Sequence, residues 1–219
     1  MPRLLFEKTG NAVWISHLDL MRLFQRAFKR SELPLTHTQG FNPRPSVSIA
    51  LPLSVGVESY CELLDFDLDG EKVDSATIME RLNGSLVEGV KVRSVYEDGA
   101  KLKHLALLDV EVELEYDAGV PENAVELIQA LFSREMLVLE KRGKNGTQQQ
   151  DIIPLIRSMS VAHKDANTIV IRSRICCQNP TLNPGQIPAA IALYLPECRP
   201  DHSLCRRLEI YDNDEKVFR

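Results

Sequence analysis

The stretch SHLDLMRLFQRAFKRSELPLTHTQGFNPRPSVSIALPL, Ser16 to Leu53, runs from a helix through a polar loop into a strand, and its reading decides the fold. Ser16 can cap the free N–H groups of a helix, and Asp19 three residues on nearly completes a capping box. The helix is predicted to run to about Ser31, ahead of Pro34. Leu20, Met21, Phe24, Ala27 and Phe28 recur at helical spacing, so that face is expected in a core. Arg22, Arg26, Lys29 and Arg30 follow at i, i+4, i+7 and i+8 and make a second, cationic row.

Working outward, RLLFEKTG before the helix reads as a strand, and Gly10-Asn11 turns the chain into the short apolar run Val13-Trp14-Ile15. After the loop, SVSIALPL and SYCELLDFDL read as two strands. Residues 74–87 predict a second helix capped by Asp74 or Ser75, and GVKVRSVYED a fourth strand. The order βαββαβ is the split βαβ, or ferredoxin-like, arrangement: an antiparallel sheet with both helices on one face.

The second half repeats that order by element type. ALLDVEVELEY, MLVLEKRG, DIIPLIRSMSVAH, TIVIRSRICC and SLCRRLEIYDND predict strands; ENAVELIQALFS and NPGQIPAAIALYL predict helices. The boundary falls near Gly99 to Lys103, giving α+β units at 1–100 and 104–219, two tandem ferredoxin-like domains. The polar run KRGKNGTQQQD, Lys141 to Asp151, reads as a flexible loop.

Composition narrows the function classes. Of 219 residues, 44% are hydrophobic and 26% charged, the profile of an ordinary globular protein. No run of about 18 apolar residues and no secretory leader is visible, so no membrane partner and a cytoplasmic location are expected. The five cysteines, Cys61, Cys176, Cys177, Cys198 and Cys205, include no CxxC pair, and the vicinal two would point to opposite faces of a strand. They read as packing thiols; His104, His163 and His202 are scattered, and neither a metal site nor a cofactor is expected.

Charge is unevenly spread. Net charge is -5, yet residues 1–57 hold seven cations (Arg3, Lys8, Arg22, Arg26, Lys29, Arg30, Arg44) against Glu7, Asp19 and Glu32. A polyanion-facing N-terminal segment is the expectation, with the helical row tracking an RNA backbone and Arg44 adding a bidentate phosphate contact. In the loop QGFNPRP, Phe41 can stack on an unpaired base while Gln39 and Asn42 read base edges. The structural alternative packs Phe41 into the core and spends both amides on backbone groups. His17 and His37 flank the helix and loop; placed at one mouth of the sheet they would suit metal-independent acid–base cleavage of RNA. Glu58 is a candidate to orient an Arg of the helix.

Residues Lys8 to Ser59, with SHLD at the helix start, the LP step, QGFNPxP and LPLxxGxxS before an acidic strand, closely resemble the radical-SAM-linked protein family. That is a domain of unknown function found alone or attached C-terminally to cobalamin-binding-type radical SAM proteins. LNPGQIPAAI fits its second-unit helix start, whereas Ile153 in DIIPLI stands where the family tends to carry Arg. The resemblance implies association with a radical SAM protein and a role in RNA metabolism. The CxxxCxxC that would hold an iron–sulfur cluster is absent from the sequence, so any radical step is expected on another chain. The expected function is a non-catalytic accessory or recognition module for RNA or an RNA-associated partner, the alternatives being a ribonuclease or a protein–protein interaction module.

Overall fold

A computed structural model of the chain describes residues 1–143, 146–178 and 180–219. It is mixed α+β, with antiparallel strand pairing and, among the described residues, four α-helices. Two compact units divide it: Met1–His104 with Val217–Arg219, and Leu105–Lys216. Among the described residues no helix is long and apolar enough to cross a membrane.

The first unit runs β1 (Arg3–Lys8), α1 (His17–Arg30), β2 (Val47–Ile49), β3 (Glu58–Phe66), α2 (Ser75–Asn83) and β4 (Val90–Tyr96). Its strands lie in the order β4-β1-β3-β2, each neighbour antiparallel. Strand alternation delivers Leu4, Phe6, Leu64, Phe66 and Val92 to the core, where they meet Leu20, Phe24, Ala27 and Phe28 of α1. The Phe6 and Phe24 rings meet edge to face with centroids 4.7 Å apart, and Phe28 packs on Phe66 at 5.2 Å. Burying each such ring contributes about 1.5–3 kcal/mol, enough to fix which side of α1 faces out. Helix α2 ends at Asn83, earlier than the sequence pattern suggests. The Asn83 amide turns out of the helix to donate to Val92 O at 3.0 Å and accept from Val92 N–H at 2.8 Å. The run Val13-Trp14-Ile15 is partly helical: Gly10–Trp14 forms a 3-10 turn that buries Val13 and leaves Trp14 exposed.

The second unit runs β5 (Leu105–Glu115), α3 (Ala124–Phe132), β6 (Val138–Gly143), β7 (Gly146–Asp151), β8 (Ile156–His163), β9 (Thr168–Cys176), α4 (Gln186–Tyr194) and β10 (His202–Asp212). Its main strands lie in the order β10-β5-β9-β8. Strands β6 and β7 form a separate two-stranded ribbon. Lys141 to Asp151 is therefore not a loop over its described residues; Lys144 and Asn145 lie outside them. The ladder starts at Val138↔Asp151, and Tyr194 Oη anchors it by donating to Val138 O at 2.7 Å. β7 has no apolar alternation because its middle residues are exposed on both faces, so pattern reading finds no strand there.

All five cysteines are buried thiols rather than disulfides. Cys176 and Cys177 are both buried rather than split between a core and a solvent face; desolvation pushes the Cys177 thiol up to about 12 and that of Cys205 up to about 11.

Candidate functional site

Helix α1 is placed by its buried stripe and its caps. Ser16 Oγ accepts from Asp19 N–H at 3.2 Å and donates to the Asp19 carboxylate at 2.7 Å. That bond, with Arg22 beside it, holds the Asp19 carboxyl below its usual range. At the far end Ser31 and Glu32 close the helix: Leu33 N–H donates to Phe28 O at 3.0 Å and Glu32 N–H to Lys29 O at 3.3 Å, a Schellman motif.

The seven cations counted in the sequence do different things. Arg3 is buried and clasps Asp65 through Nε at 2.5 Å and Nη2 at 3.0 Å, its guanidinium 5.3 Å from the Phe218 ring centroid. Lys8 is 1% exposed and donates to Val13 O at 3.0 Å. Arg22 pairs with Asp19 at 3.0 Å, and Arg30 donates to Ser85 O at 2.6 Å, tying α1 to the end of α2. Among the described residues the side chains of Arg26, Lys29 and Arg44 have no hydrogen-bond or ion-pair partner, and all three are exposed. The N-terminal charge excess thus reduces to three available cations.

The loop between α1 and β2 is built as a small hairpin. Ser46 N–H donates to Thr36 O at 2.8 Å, Thr38 N–H to Arg44 O at 2.9 Å, and Arg44 N–H to Thr38 Oγ1 at 3.0 Å. Gly40 supplies the reversal at φ +139°, a conformation that L side chains rarely adopt. The stem closes through Thr38 and backbone groups, so Gln39 and Asn42 are not spent on it; both amides are exposed without a partner among the described residues. Phe41, at the tip, is fully exposed rather than packed in the core.

Helix end and loop stem share a groove of about 470 Å³. Gln25, Phe28 and Lys29 come from α1, Glu32 to Leu35 from the turn after it, and His37 and Pro45 from the stem, where they bridge. The floor is apolar; Gln25, Lys29, Glu32 and His37 carry its polar atoms. Lys29 therefore belongs to both the cationic row and the groove.

The two histidines are not brought together. His17 begins α1 and His37 lies beside Lys29 near its end, so about 18 Å of helix axis separates the levels they occupy. Glu58 accepts from Gly10 N–H at 3.2 Å, bracing the 3-10 turn. Three residues of interest escape a reading by charge and motif. Trp14 is 70% exposed, and its ring lies 3.5 Å from where a Cβ on Gly56 would stand. Leu18 is exposed on the next turn, and Glu32, likewise exposed, bears on a charge reading only as one negative charge. The signal for Trp14 is its place beside turn-forming Gly10-Asn11, which lets one residue of an apolar run face outward.

Residues 2–184 match the model of a family described as an uncharacterized protein conserved in bacteria, DUF2344, and the chain belongs to that family. No curated protein shows significant sequence similarity to it. Among solved structures it is similar to a chain in the crystal structure of a Cbf5-Nop10-Gar1 complex, with a TM-score of 0.53 and 12% identity over 98% of this chain and 50% of that one. It thus spans half the length of that neighbour, and the likeness is one of fold. An unknown protein from Galdieria sulphuraria matches over 94% of this chain and 96% of its own at 11% identity and a TM-score of 0.27.

Proposed function

We propose that this member of the DUF2344 family is a non-catalytic recognition module that holds RNA, by unpaired nucleotides, for a radical SAM enzyme. One observation carries the reading: α1 and the loop stem jointly build a groove with Lys29 in its wall, and the same helix and loop expose Phe41 and the other two cations without a partner among the described residues, Arg26 and Arg44. Phosphates would lie along Arg26 and Lys29, Arg44 would reach round from the loop, and Phe41 would stack on a base while Gln39 and Asn42 contact base edges. Arg22 and Arg30 flank the row, already engaged by Asp19 and Ser85. Another groove in the same unit is rimmed by Asp67, Glu71, Glu97 and Asp98 with Lys72, and would repel a phosphate chain.

The fold supports the same reading. Both strand orders, β4-β1-β3-β2 and β10-β5-β9-β8, follow the ferredoxin-like plan, so we read the chain as two such units in tandem. The link to a radical SAM enzyme rests on the sequence resemblance over residues 8–59. Separation of His17 from His37 argues against a ribonuclease using both.

The test is binding of a single-stranded RNA oligomer by fluorescence anisotropy across a salt series. The expected slope of log affinity against log salt is about -2, from three phosphates at roughly 0.7 each. Changing Arg26, Lys29 and Arg44 together to Gln should weaken binding about 10- to 100-fold and flatten that slope. No binding at low salt, or a slope unchanged in the triple variant, overturns the reading and favours a protein-interaction module.

A further inference from the structure

Among the described residues, three other than glycine have a left-handed backbone: Glu32 at φ 53°, Asn123 at 57° and Glu215 at 58°. There the Cβ of any L residue crowds the following carbonyl oxygen; the short polar side chain of Asn offsets this by bonding locally, and that of Glu does not. At the position after a helix cap, where Glu32 stands, Gly is the ordinary choice. Retaining Glu there points to something the carboxylate does. For Glu215 the purpose is visible: its carboxylate accepts from Arg174 Nη1 at 2.6 Å. Glu32 has no such partner among the described residues, and it stands on the wall of the groove between Lys29 and Pro34.

A carboxylate is an odd lining for a phosphate site, since it repels the ligand that Lys29 attracts. It is a good lining for a base. An ionised carboxylate only accepts hydrogen bonds, through two oxygens side by side. Among the four RNA bases, guanine alone offers two adjacent donors, N1–H and the N2 amino group, on one edge. Adenine sets its N1 acceptor beside the amino group, cytosine sets N3 and O2 there, and uracil sets its one N–H between two carbonyls; all three arrangements face a carboxylate with repelling oxygen or nitrogen. The groove supplies the rest: an apolar floor at Leu35, ring walls at Pro34 and Pro45, and the Lys29 ammonium and His37 at the rim within the same 470 Å³.

We infer that Glu32 is a specificity-determining residue that reads the Watson–Crick edge of a guanine base seated in this groove. The inference rests on the RNA reading for its setting, since the guanine would come from an unpaired stretch of RNA; a free guanine nucleotide carries the same edge.

The experiment compares hexamers UUGUUU, UUAUUU, UUCUUU and UUUUUU, with GMP and AMP as free nucleotides, on the full chain. The G hexamer should bind at least tenfold more tightly than the other three. Glu32→Gln should reduce that preference to within twofold while keeping the affinity for UUUUUU, because the amide offers one donor and one acceptor. Glu32→Gly should keep the fold, raise the melting temperature and also lose the preference. Tight but equal binding of all four hexamers overturns the guanine inference and leaves RNA binding standing. If no hexamer binds, the RNA reading falls, and the free nucleotides decide: GMP binding abolished by Glu32→Gln supports the guanine site, and no difference between GMP and AMP overturns it.

Discussion

Helices α1 and α3 occupy the same step of their units, the first crossover from a central strand, and bury the same kind of face. α1 commits Leu20, Phe24, Ala27 and Phe28; α3 commits Ala124, Ile128 and Leu131. Their outer faces differ completely. α1 carries Arg22, Arg26, Lys29 and Arg30, whereas AVELIQALF of α3 holds no cation at all. The second unit is not short of cations; Lys164, Arg172, Arg174 and Arg206 are matched by carboxylates on its sheet. Arg206 Nη1 meets Glu111 at 3.0 Å and Glu113 at 2.6 Å, Arg172 meets Glu111 at 2.9 Å, and Lys164 meets Glu113 at 2.8 Å. Arg174 grips Asp109 with two bonds of 2.8 and 3.0 Å and lies 4.0 Å from the Tyr211 ring centroid. The two units therefore treat positive charge in two ways: matched where it joins strands, and unmatched on the outer face of α1, where the proposed RNA would supply the counter-charge.

The sharpest break of that comparison is in stability. Phe24→Ala and Ile128→Ala should each destabilise their unit, by about 3–5 and 2–5 kcal/mol, because both leave cavities in a core. Arg26→Gln should change stability by no more than about 0.5 kcal/mol, as expected of an exposed side chain without partners. Denaturant unfolding measures all three, and a large loss on Arg26→Gln would mean the outer face of α1 is structural after all. Next in size, Arg174→Ala should cost about 1–2 kcal/mol, since it leaves Asp109 and Glu215 without their charged donor. The contrast between Arg174 and Arg26 is the comparison reduced to two residues.

The sequence showed the first of these contrasts better than the second. The 3.6-residue spacing of α1, its Ser16 cap and the alternation of β5 are local signals, and local signals mark elements and their buried faces. Pairing is not local. Arg3 and Lys8 look like members of a basic segment until the structure shows one against Asp65 and the other inside the first unit; with Arg22 on Asp19 and Arg30 on Ser85, four of the seven cations are engaged and three remain available. Of the β6–β7 ribbon, β6 is announced by MLVLEKRG, but β7 is illegible because that polar strand has no apolar period. Exposure of Phe41 could not be read either, since a Phe between Gly and Asn is equally consistent with a buried or a presented ring.

The acid limb offers a smaller effect confined to the second unit. Burial alone would raise the Glu113 carboxyl, but the hydrogen bonds from Lys164 and Arg206 outweigh it and hold the group below its ordinary value of 4.5. A carboxyl held low in the folded state adds stability above its unfolded value and loses it as pH falls through the lower folded value. The stability gap between the wild type and Glu113→Gln should thus be constant from pH 6 to 7 and shrink below about pH 4.5. Urea titrations at several pH values follow it. A gap that persisted undiminished at pH 3 would mean that charge pairing is not what Glu113 contributes.

The smallest effect separates the two left-handed glutamates, one in each unit. Replacing either by Gly relieves the Cβ clash, about 1–2 kcal/mol, and loosens the unfolded chain by somewhat less. At Glu32 nothing else is lost within the protein, so Glu32→Gly should raise stability by about 0.5–1 kcal/mol. At Glu215 the same change removes the contact with Arg174, worth up to about 1 kcal/mol for a half-exposed pair, and the net should lie near zero. Thermal melts of the two variants side by side decide it. Equal shifts would mean that Glu32, like Glu215, is already engaged within the fold; a rise at Glu32 alone means its carboxylate is held in a strained place for a contact the protein itself does not make.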